Sequence, residues 1–382
     1  MRVAVIGAGI AGLTVAAGLG ADGHEVVVYE RREEPGAVGA GLTLFGNAFD
    51  ALDAIGLGDA VRRVSSDAIA RMRSGQRRPS GDWLVSLPSA MVRTLRSLHR
   101  ADLHRALAEA LPAGSIRLGQ SAALAVDGRA AVTVDGAEER FDLVIAADGL
   151  HSDTRTRLGL DRGVRYSGCT AWRGVTGSGV DLRGEVGETW GRGRIFGIVP
   201  LPDDRVYWFA TESTAAAQHA DDERTAVRER FGNWHEPILA CIDATPPGAV
   251  LRHDIHDLAR IPASFVKGRV VLVGDAAHGM TPNLGQGAGQ AIEDAAMLTL
   301  LLRSGKPDEA LSRYDELRRK RTRAVWRQSR LMGKVAQASH PIGAGIRDGL
   351  LRATPPAFMA RATQSIQRWT GPQTLPGRVA PR

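Results

Sequence analysis

The sequence contains little cysteine and no long apolar run. Only Cys169 and Cys241 occur in 382 residues, far apart and without a second cysteine or a histidine at a metal-binding spacing. This excludes a disulfide framework and a cysteine-based zinc site, so no metal is expected, and it fits a reducing cytoplasm. No apolar segment approaches the roughly 20 residues of a membrane-spanning helix. The composition, 43% hydrophobic and 24% charged, is typical of a globular cytoplasmic protein.

Lysine is also scarce. It supplies four of the 49 basic residues, and arginine supplies the rest. The net charge of +7 and a pI near 10.0 raise the question of a nucleic-acid partner. Arg319, Arg323, Arg327 and Arg330 recur at helical spacing, which indicates a solvated helix face. No nucleic-acid motif with interleaved aromatic residues accompanies them. We therefore predict no nucleic-acid binding.

The first 30 residues contain a dinucleotide-binding pattern. An apolar strand over residues 3–6 is followed by Gly7, Gly9 and Gly12, which open a helix, and then by a strand that ends at Glu30. In this pattern the glycines allow a tight turn, close approach of a pyrophosphate and close packing of helix on strand. The carboxylate can bond the hydroxyls of an adenosine ribose. The pattern predicts a bound dinucleotide without separating FAD from NAD.

Two further strands end in an acid and a glycine. Apolar runs over residues 141–147 and 270–273 stop at Asp148-Gly149 and at Gly274-Asp275. A glycine-rich loop and an amphipathic segment follow the second run. Because ligands bind at the carboxyl ends of parallel strands, these ends and Glu30 predict one nucleotide-binding sheet assembled from distant segments.

The middle of the chain has a different pattern. Between about 165 and 262, short runs of β-forming residues alternate with glycine and Pro-Asp-Asp turns, which predicts an inserted antiparallel sheet. Two runs at 66–73 and 82–88 look like an antiparallel pair. The fold class is therefore α/β, with a Rossmann-like domain, an inserted sheet and C-terminal helices. The expected division is a nucleotide-binding domain of residues 1–70, 98–165 and 263–340, a substrate-binding β-sheet domain of residues 71–97 and 166–262, and a helical tail of residues 341–382.

Together, these motifs resemble the single-component class A flavin monooxygenases, the para-hydroxybenzoate-hydroxylase-like family. The resemblance covers about residues 1–340 and rests on Gly7–Gly12 with Glu30, on Asp148-Gly149, and on the segment from Gly274 to Gly287. It implies a glutathione-reductase-like FAD-binding domain, tightly but non-covalently bound FAD, and NAD(P)H as a transient co-substrate. It further implies that O2 hydroxylates a small aromatic or heteroaromatic substrate through a flavin C4a-hydroperoxide.

The resemblance also implies cofactor contacts, position by position. The pyrophosphate would be held by Gly7, Gly9, Ala11 and Gly12, and the adenosine ribose by Glu30 with Arg31 beside it. Thr43 would line the inner side of the flavin, Arg100 would reach the phosphate-ribose portion, and Ala122 would touch the adenine. Asp148 belongs to a motif linked to FAD and pyridine-nucleotide contacts, and Asp275 would bond the ribityl chain. The flavin ring would receive backbone amides from the loop of Pro282, Gly285, Gln286, Gly287, Ala288 and Gly289.

Substrate contacts are harder to assign, and no residue is identified as a certain catalytic acid or base, because the flavin carries the hard chemistry. Strand alternation prevents Tyr207 and Trp208 from facing the flavin together, and Trp208 is favoured. Asn283 stands where the urate-hydroxylating branch has aspartate, which argues against urate. His278 is expected to brace the loop. The candidate substrate contacts are Asn47, Arg194, Phe196, Trp208 and Asn283.

Other functions share parts of this pattern. A flavin-dependent halogenase or a reductase would have the same FAD fold, but the halogenase Trp-x-Trp-x-Ile-Pro signature is absent from residues 150–260. An NAD(P)-dependent dehydrogenase would leave the Asp148-Gly149 and 274–289 motifs unexplained. A nucleotide-binding sensor is also consistent with the motifs. The expected partners are a small aromatic substrate, O2 and NAD(P)H, and the expected state is a monomer or homodimer.

Overall fold

The computed structural model describes residues 1–34, 40–125, 129–355 and 366–372. The strands of this part of the chain are β1 (Arg2–Ile6), β2 (Glu25–Glu30), β3 (Gly41–Leu44), β4 (Arg73–Arg77), β5 (Trp83–Ser86), β6 (Arg96–His99), β7 (Ile116–Leu118), β8 (Ala122–Leu124), β9 (Ala131–Val134), β10 (Ala137–Arg140), β11 (Leu143–Ala146), β12 (Val164–Val175), β13 (Glu185–Trp190), β14 (Arg194–Pro200), β15 (Val206–Ser213), β16 (Leu251–Leu258), β17 (Val266–Lys267) and β18 (Val270–Leu272).

The α-helices of the same residues are α1 (Ile10–Ala21), α2 (Gly46–Ala54), α3 (Gly58–Arg63), α4 (Ser89–Val92), α5 (Arg100–Ala108), α6 (Asp153–Arg157), α7 (Glu223–Phe231), α8 (Ile238–Asp243), α9 (Asp275–His278), α10 (Gly287–Ser304), α11 (Pro307–Ala336) and α12 (Pro341–Ala353). Short 3-10 turns lie at Ala68–Arg71 and Pro282–Leu284. Among the described residues, none of the helices has the length and apolar character needed to cross a membrane.

A six-stranded sheet forms the first layer, in the order β17-β18-β11-β1-β2-β7. Its strands are parallel except at the β17–β18 edge. Apart from Arg2, strands β1, β11 and β18 are apolar and buried, as expected for a parallel sheet covered on both faces. Glu30 ends one strand of this sheet, and Asp148 and Asp275 follow two others, so the prediction that distant segments assemble a single nucleotide-binding sheet is confirmed.

A seven-stranded sheet forms the second layer, in the order β16-β12-β15-β14-β13-β4-β5. It is antiparallel, as predicted, except that β4 pairs with β13 in parallel. Parallel pairing arises because β4 enters from a distant segment rather than through a hairpin. Helices α7 and α8 pack on one face of this sheet through Val227, Phe231 and Ile242.

One local prediction needs correction. The expected strand at 66–73 is instead a 3-10 turn at Ala68–Arg71, and the pairing strand β4 begins only at Arg73. The tail expected over 341–382 begins with helix α12, whose isoleucine and leucine residues recur every four positions. Residues 356–365 and 373–382 of that expected tail lie outside the described part of the chain.

Candidate active site

The turn between β1 and α1 requires glycine at two positions for different reasons. Gly7 has φ +101°, and a Cβ there would lie 2.5 Å from the Ala147 carbonyl oxygen. A Cβ at Gly12 would lie 2.0 Å from the Gly7 carbonyl oxygen, so α1 packs directly on the turn. By contrast, no described atom lies within 4 Å of a Cβ at Gly9. The turn is therefore tightly packed on the protein side and open at Gly9, where the helix begins.

Glu30 closes this turn from the neighbouring strand. Its Oε2 accepts the Ala8 amide at 3.0 Å and its Oε1 accepts the Arg32 amide at 3.0 Å. Beneath it, His104 Nε2 lies 2.6 Å from the Ala8 carbonyl oxygen. These bonds hold a carboxylate beside the open end of α1, which is the geometry that a ribose diol needs.

The segment from Gly274 to Gly287 forms the opposite wall. Gly274 has φ +60°, and a Cβ there would lie 2.8 Å from the Ala11 Cβ, so β18 ends in close contact with α1. Asp275 begins α9 with its side chain exposed. Gly285 is left-handed with φ +62°, and no described atom lies within 4 Å of a Cβ at Gly287, the first residue of α10. Asp275 and the start of α10 therefore border open space beside the β1–α1 turn.

A buried ionic network holds this segment in place. Asp294 Oδ2 accepts the Gly274 amide at 2.8 Å and lies 2.6 Å from His278 Nε2. Its other oxygen, Oδ1, accepts Arg318 Nε at 2.6 Å, and Arg318 also donates to Glu293 at 2.5 Å. Glu293, Asp294 and His278 have no exposed surface. The bracing role expected of His278 is therefore shared with a long-range arginine from α11.

The charges in this network stabilise one another. Burial alone would raise the pKa of Asp294, but His278 and Arg318 bring it below its ordinary value. Burial alone would lower the pKa of Arg318, but Asp294 and Glu293 raise it above its ordinary value. The sequence signal that would have revealed the network is the acidic pair Glu293 and Asp294 within the largely apolar helix α10.

Asn47 belongs to this network rather than to a substrate pocket. Its Nδ2 donates to Glu293 at 2.7 Å and to Gln286 at 3.0 Å, and the side chain has no exposed surface. Gly289 packs against the same amide. Asn47 thus connects α2 to the start of α10, and its candidacy as a substrate contact is withdrawn because it is enclosed by protein.

Phe196, Trp208 and Arg194 lie on the helix-covered face of the seven-stranded sheet. The rings of Phe196 and Trp208 stack with centroids 5.4 Å apart, and Phe196 also packs on Phe231 of α7. Trp208 Nε1 donates to Thr245 Oγ1 at 2.7 Å. Arg194 pairs with Glu212, which also binds Arg230 of α7. These three residues therefore face α7 and α8, and the preference for Trp208 over Tyr207 is corrected.

The other side of the same sheet, which we call the inner face, carries Arg173, Gly197, Tyr207 and Phe209. Tyr207 packs against Gly41 of β3, where an added Cβ would lie 2.4 Å from the tyrosine ring. Phe209 lies 6.1 Å from Tyr207 between ring centroids and covers Gly197 on the next strand. The inner face therefore meets the part of the chain that carries Thr43, and strand parity assigns Tyr207 and Phe209 to it.

A group of basic side chains, two arginines and a histidine, lies at the Tyr207 end of the inner face. Burial lowers the pKa of His253, and the nearby Arg173 and Arg100 lower it further. Arg100 is exposed at the start of α5, and its backbone amide donates to the Ala40 carbonyl oxygen at 2.9 Å. Of these three residues, the sequence identified only Arg100.

The remaining predicted residues lie at the edges of this space. Asp148 accepts the Thr154 amide at 3.0 Å through Oδ2, while its buried Oδ1 has no hydrogen-bond partner among the described residues. Asn283 is half-buried and donates to the Ser329 carbonyl oxygen of α11 at 3.3 Å. Arg31, Thr43, Ala122, Pro282 and Ala288 are exposed or half-buried.

The sequence comparisons identify the family. The FAD binding domain family matches residues 1–329 of this chain. The chain belongs to the class A FAD-dependent aromatic monooxygenases.

Two curated relatives of this monooxygenase span nearly its whole length. An aurachin C monooxygenase/isomerase from Stigmatella aurantiaca is 36% identical over 92% of this chain and 94% of that protein. A 2-heptyl-3-hydroxy-4(1H)-quinolone synthase from Pseudomonas aeruginosa is 34% identical over 96% of this chain and 97% of that protein. The crystal structure of Klebsiella pneumoniae HpxO with FAD and uric acid is 28% identical, with a TM-score of 0.86 and 98% coverage of both chains.

The monooxygenase site fits FAD on its own geometry. An added Cβ would meet no described atom within 4 Å at Gly9 or at Gly287, and these glycines lie at the amino ends of α1 and α10. Helix amino ends with free amides bind anionic groups, which suits a pyrophosphate and an electron-rich ring. The carboxylates of Glu30 and Asp275 border the same space and are suited to hydroxyl groups.

Replacement of Asp275 by alanine is expected to weaken FAD binding by about tenfold or more, because a hydrogen bond to a charged group contributes about 1.5–3 kcal/mol. The measurement is the flavin absorbance of the purified protein, followed by fluorescence titration of the apoprotein with FAD. An Asp221→Ala variant, at an exposed position near α7, is the matched control. Full flavin content in Asp275→Ala would contradict the assignment.

Proposed function

We propose that this monooxygenase hydroxylates a neutral heteroaromatic compound, with 4(1H)-quinolones as the first class to test. The similarity to the quinolone synthase, which extends over 96% of this chain, carries the proposal. The inner face supports it, because Tyr207 and Phe209 provide a flat apolar wall of the kind that binds aromatic rings.

FAD would supply the redox chemistry, by accepting a hydride from NAD(P)H and activating O2. The balanced reaction consumes one NAD(P)H, one O2 and one proton, and it yields the hydroxylated substrate, NAD(P)⁺ and water. The protein holds the cofactor through the β1–α1 turn with Glu30 and through Asp275. The amides at the start of α10 stabilise negative charge on the flavin ring.

The residues of the inner face exclude water and orient the substrate. Tyr207 is 7% exposed and Phe209 packs over Gly197, so little water reaches this wall. Asn283 stays a candidate for substrate contact, at the edge formed by the loop before α10. The charges of Arg100 and Arg173 suit the phosphate groups of FAD or of the transient NAD(P)H, with the neutral His253 imidazole beside them.

The remaining cofactor positions keep the roles that the family pattern gives them. The proposed adenosine contacts are Arg31 and Ala122, Thr43 lines the inner side of the flavin, and Asp148 contacts nucleotide through its unpartnered oxygen. We further propose that the protein is cytoplasmic, which its two free cysteines support. The proposed state is a monomer or homodimer.

The test is a panel of aromatic compounds added to the FAD-loaded protein with NADH or NADPH. The expected result is that 4(1H)-quinolones accelerate NAD(P)H oxidation and O2 uptake and gain one oxygen atom, as measured by mass spectrometry. Salicylate and uric acid serve as an aromatic acid and a urate control. Stimulation by the acids alone would overturn the proposed substrate class, and no stimulation by any compound would overturn the function.

A further inference from the structure

The inner face contains an acidic side chain that the known roles leave unused. Glu188 of β13 pairs with Gly197 of β14, which pairs with Phe209 of β15, so the three residues form one row across the sheet. Paired residues project from the same side of a sheet. Glu188 therefore shares the inner face with Phe209 and Tyr207, opposite the side covered by α7 and α8.

The position of Glu188 is interior, although part of its surface is accessible. The residue is only half-buried, yet desolvation raises the pKa of Glu188 above its ordinary value, against the opposing effect of the Trp190 indole. Trp190 itself is 5% exposed and packs with Ala336 at the end of α11. Glu188 thus has a desolvated carboxyl group on the inner face, beside a buried tryptophan.

The hydrogen bonds of Glu188 are only half satisfied. Its Oε2 accepts Trp190 Nε1 at 2.7 Å, and its Oε1 has no partner among residues 1–34, 40–125, 129–355 and 366–372. On the adjacent strand β4, Gln76 pairs in register with Glu188, and its buried Oε1 also lacks a partner within the described chain. Buried polar atoms are rarely left without partners, so the buried Gln76 oxygen, in register with the accessible Oε1 of Glu188, indicates a missing donor.

We propose that Glu188 anchors the substrate by accepting a hydrogen bond at Oε1 from a ring N–H or phenolic O–H of a neutral aromatic compound. This inference rests on the proposed function and adds the group that selects the substrate. Phe209 and Trp190 contact the ring beside the anchor, and Gln76 offers a second acceptor. An aromatic acid would place its negative charge beside a desolvated carboxyl group, which disfavours its binding.

Glu188→Gln tests the anchor because it keeps the size of the side chain but replaces the acceptor Oε1 with an NH2 donor. The glutamine carbonyl oxygen would keep the bond from Trp190, so its NH2 group would face the substrate donor. Two donors cannot bond each other, and the interaction is lost. Glu229→Gln, at an exposed position of α7, is the matched control.

The experiment compares a 4(1H)-quinolone with its N-methyl analogue by substrate-stimulated NAD(P)H oxidation. Wild type and Glu229→Gln are expected to prefer the N–H compound in kcat/KM by about tenfold or more, because a site built around a donor rejects an analogue without it. In Glu188→Gln this ratio is expected to fall towards one, with flavin content unchanged. A general loss of packing would lower both rates and leave the ratio intact.

Each outcome has a defined meaning. A wild-type enzyme that is stimulated equally by both compounds overturns the anchor, and this result does not require the variant to fold. A wild-type preference that persists in Glu188→Gln also overturns it while leaving the proposed function in place. If no compound stimulates the wild type, the proposed function fails and the anchor fails with it.

Discussion

Replacing Arg318 with methionine is expected to lower the free energy of unfolding by about 3–5 kcal/mol relative to the wild type. Arg318 is 1% exposed and makes ion pairs with both Glu293 and Asp294, which have no exposed surface. Methionine fills similar space but leaves two buried carboxylates with fewer partners. Removing one member of a buried ion pair is costly because the remaining charge stays desolvated.

The same substitution is expected to weaken FAD binding. Asp294 holds the Gly274 amide and His278, so its displacement would move the residue that precedes Asp275. Chemical denaturation of the apoprotein measures stability, and fluorescence titration measures FAD affinity. Arg323→Met, an exposed arginine on the same helix, is the control. A loss of stability no larger than that of the control would show that the network is not a significant source of stability.

The cofactor side of this protein could be predicted from sequence because its signals are local. A strand, three glycines and a terminal acid fall within 30 residues, and their spacing fixes the turn at Gly7 and the position of Glu30. The acid-glycine ends of the other strands are equally short patterns. Parallel sheets place such ends at one edge, so their convergence followed from the fold class.

The substrate side could not be predicted because it depends on which face of a strand is covered. Alternation separated Tyr207 from Trp208, but the residues that cover Trp208 come from α7 and α8, later in the chain. The short pattern around Trp208 does not indicate where those helices pack. Glu188 was missed for the same reason, since a single glutamate in a β-rich run is most often solvent-exposed.

The ionic network was missed because it joins distant segments. Arg318 lies on an arginine-rich helix, where composition gives no sign that one guanidinium is buried while Arg323 is exposed. Glu293 and Asp294 were assigned to an amphipathic helix without regard to their partners. Only the packing of α11 on α10 shows that these charges neutralise one another and hold the loop before Asp275.

Alanine at Gly12 and alanine at Gly9 are both expected to weaken FAD binding, but only the first is expected to destabilise the fold. At Gly12 the new Cβ would lie 2.0 Å from a backbone oxygen, which cannot move without opening the turn. We expect the apoprotein to lose about 1–3 kcal/mol or more of stability, as overpacked sites do, and to bind FAD poorly as a consequence.

At Gly9 the backbone φ of −76° is allowed for alanine, and the Cβ would meet no described atom within 4 Å. The apoprotein is therefore expected to keep its stability, while the methyl group occupies the space where the pyrophosphate approaches and weakens FAD binding by about tenfold or more. Denaturation of both apoproteins and titration with FAD separate the two effects. Gly9→Ala with wild-type affinity would mean that the open space beside α1 is not where the pyrophosphate binds.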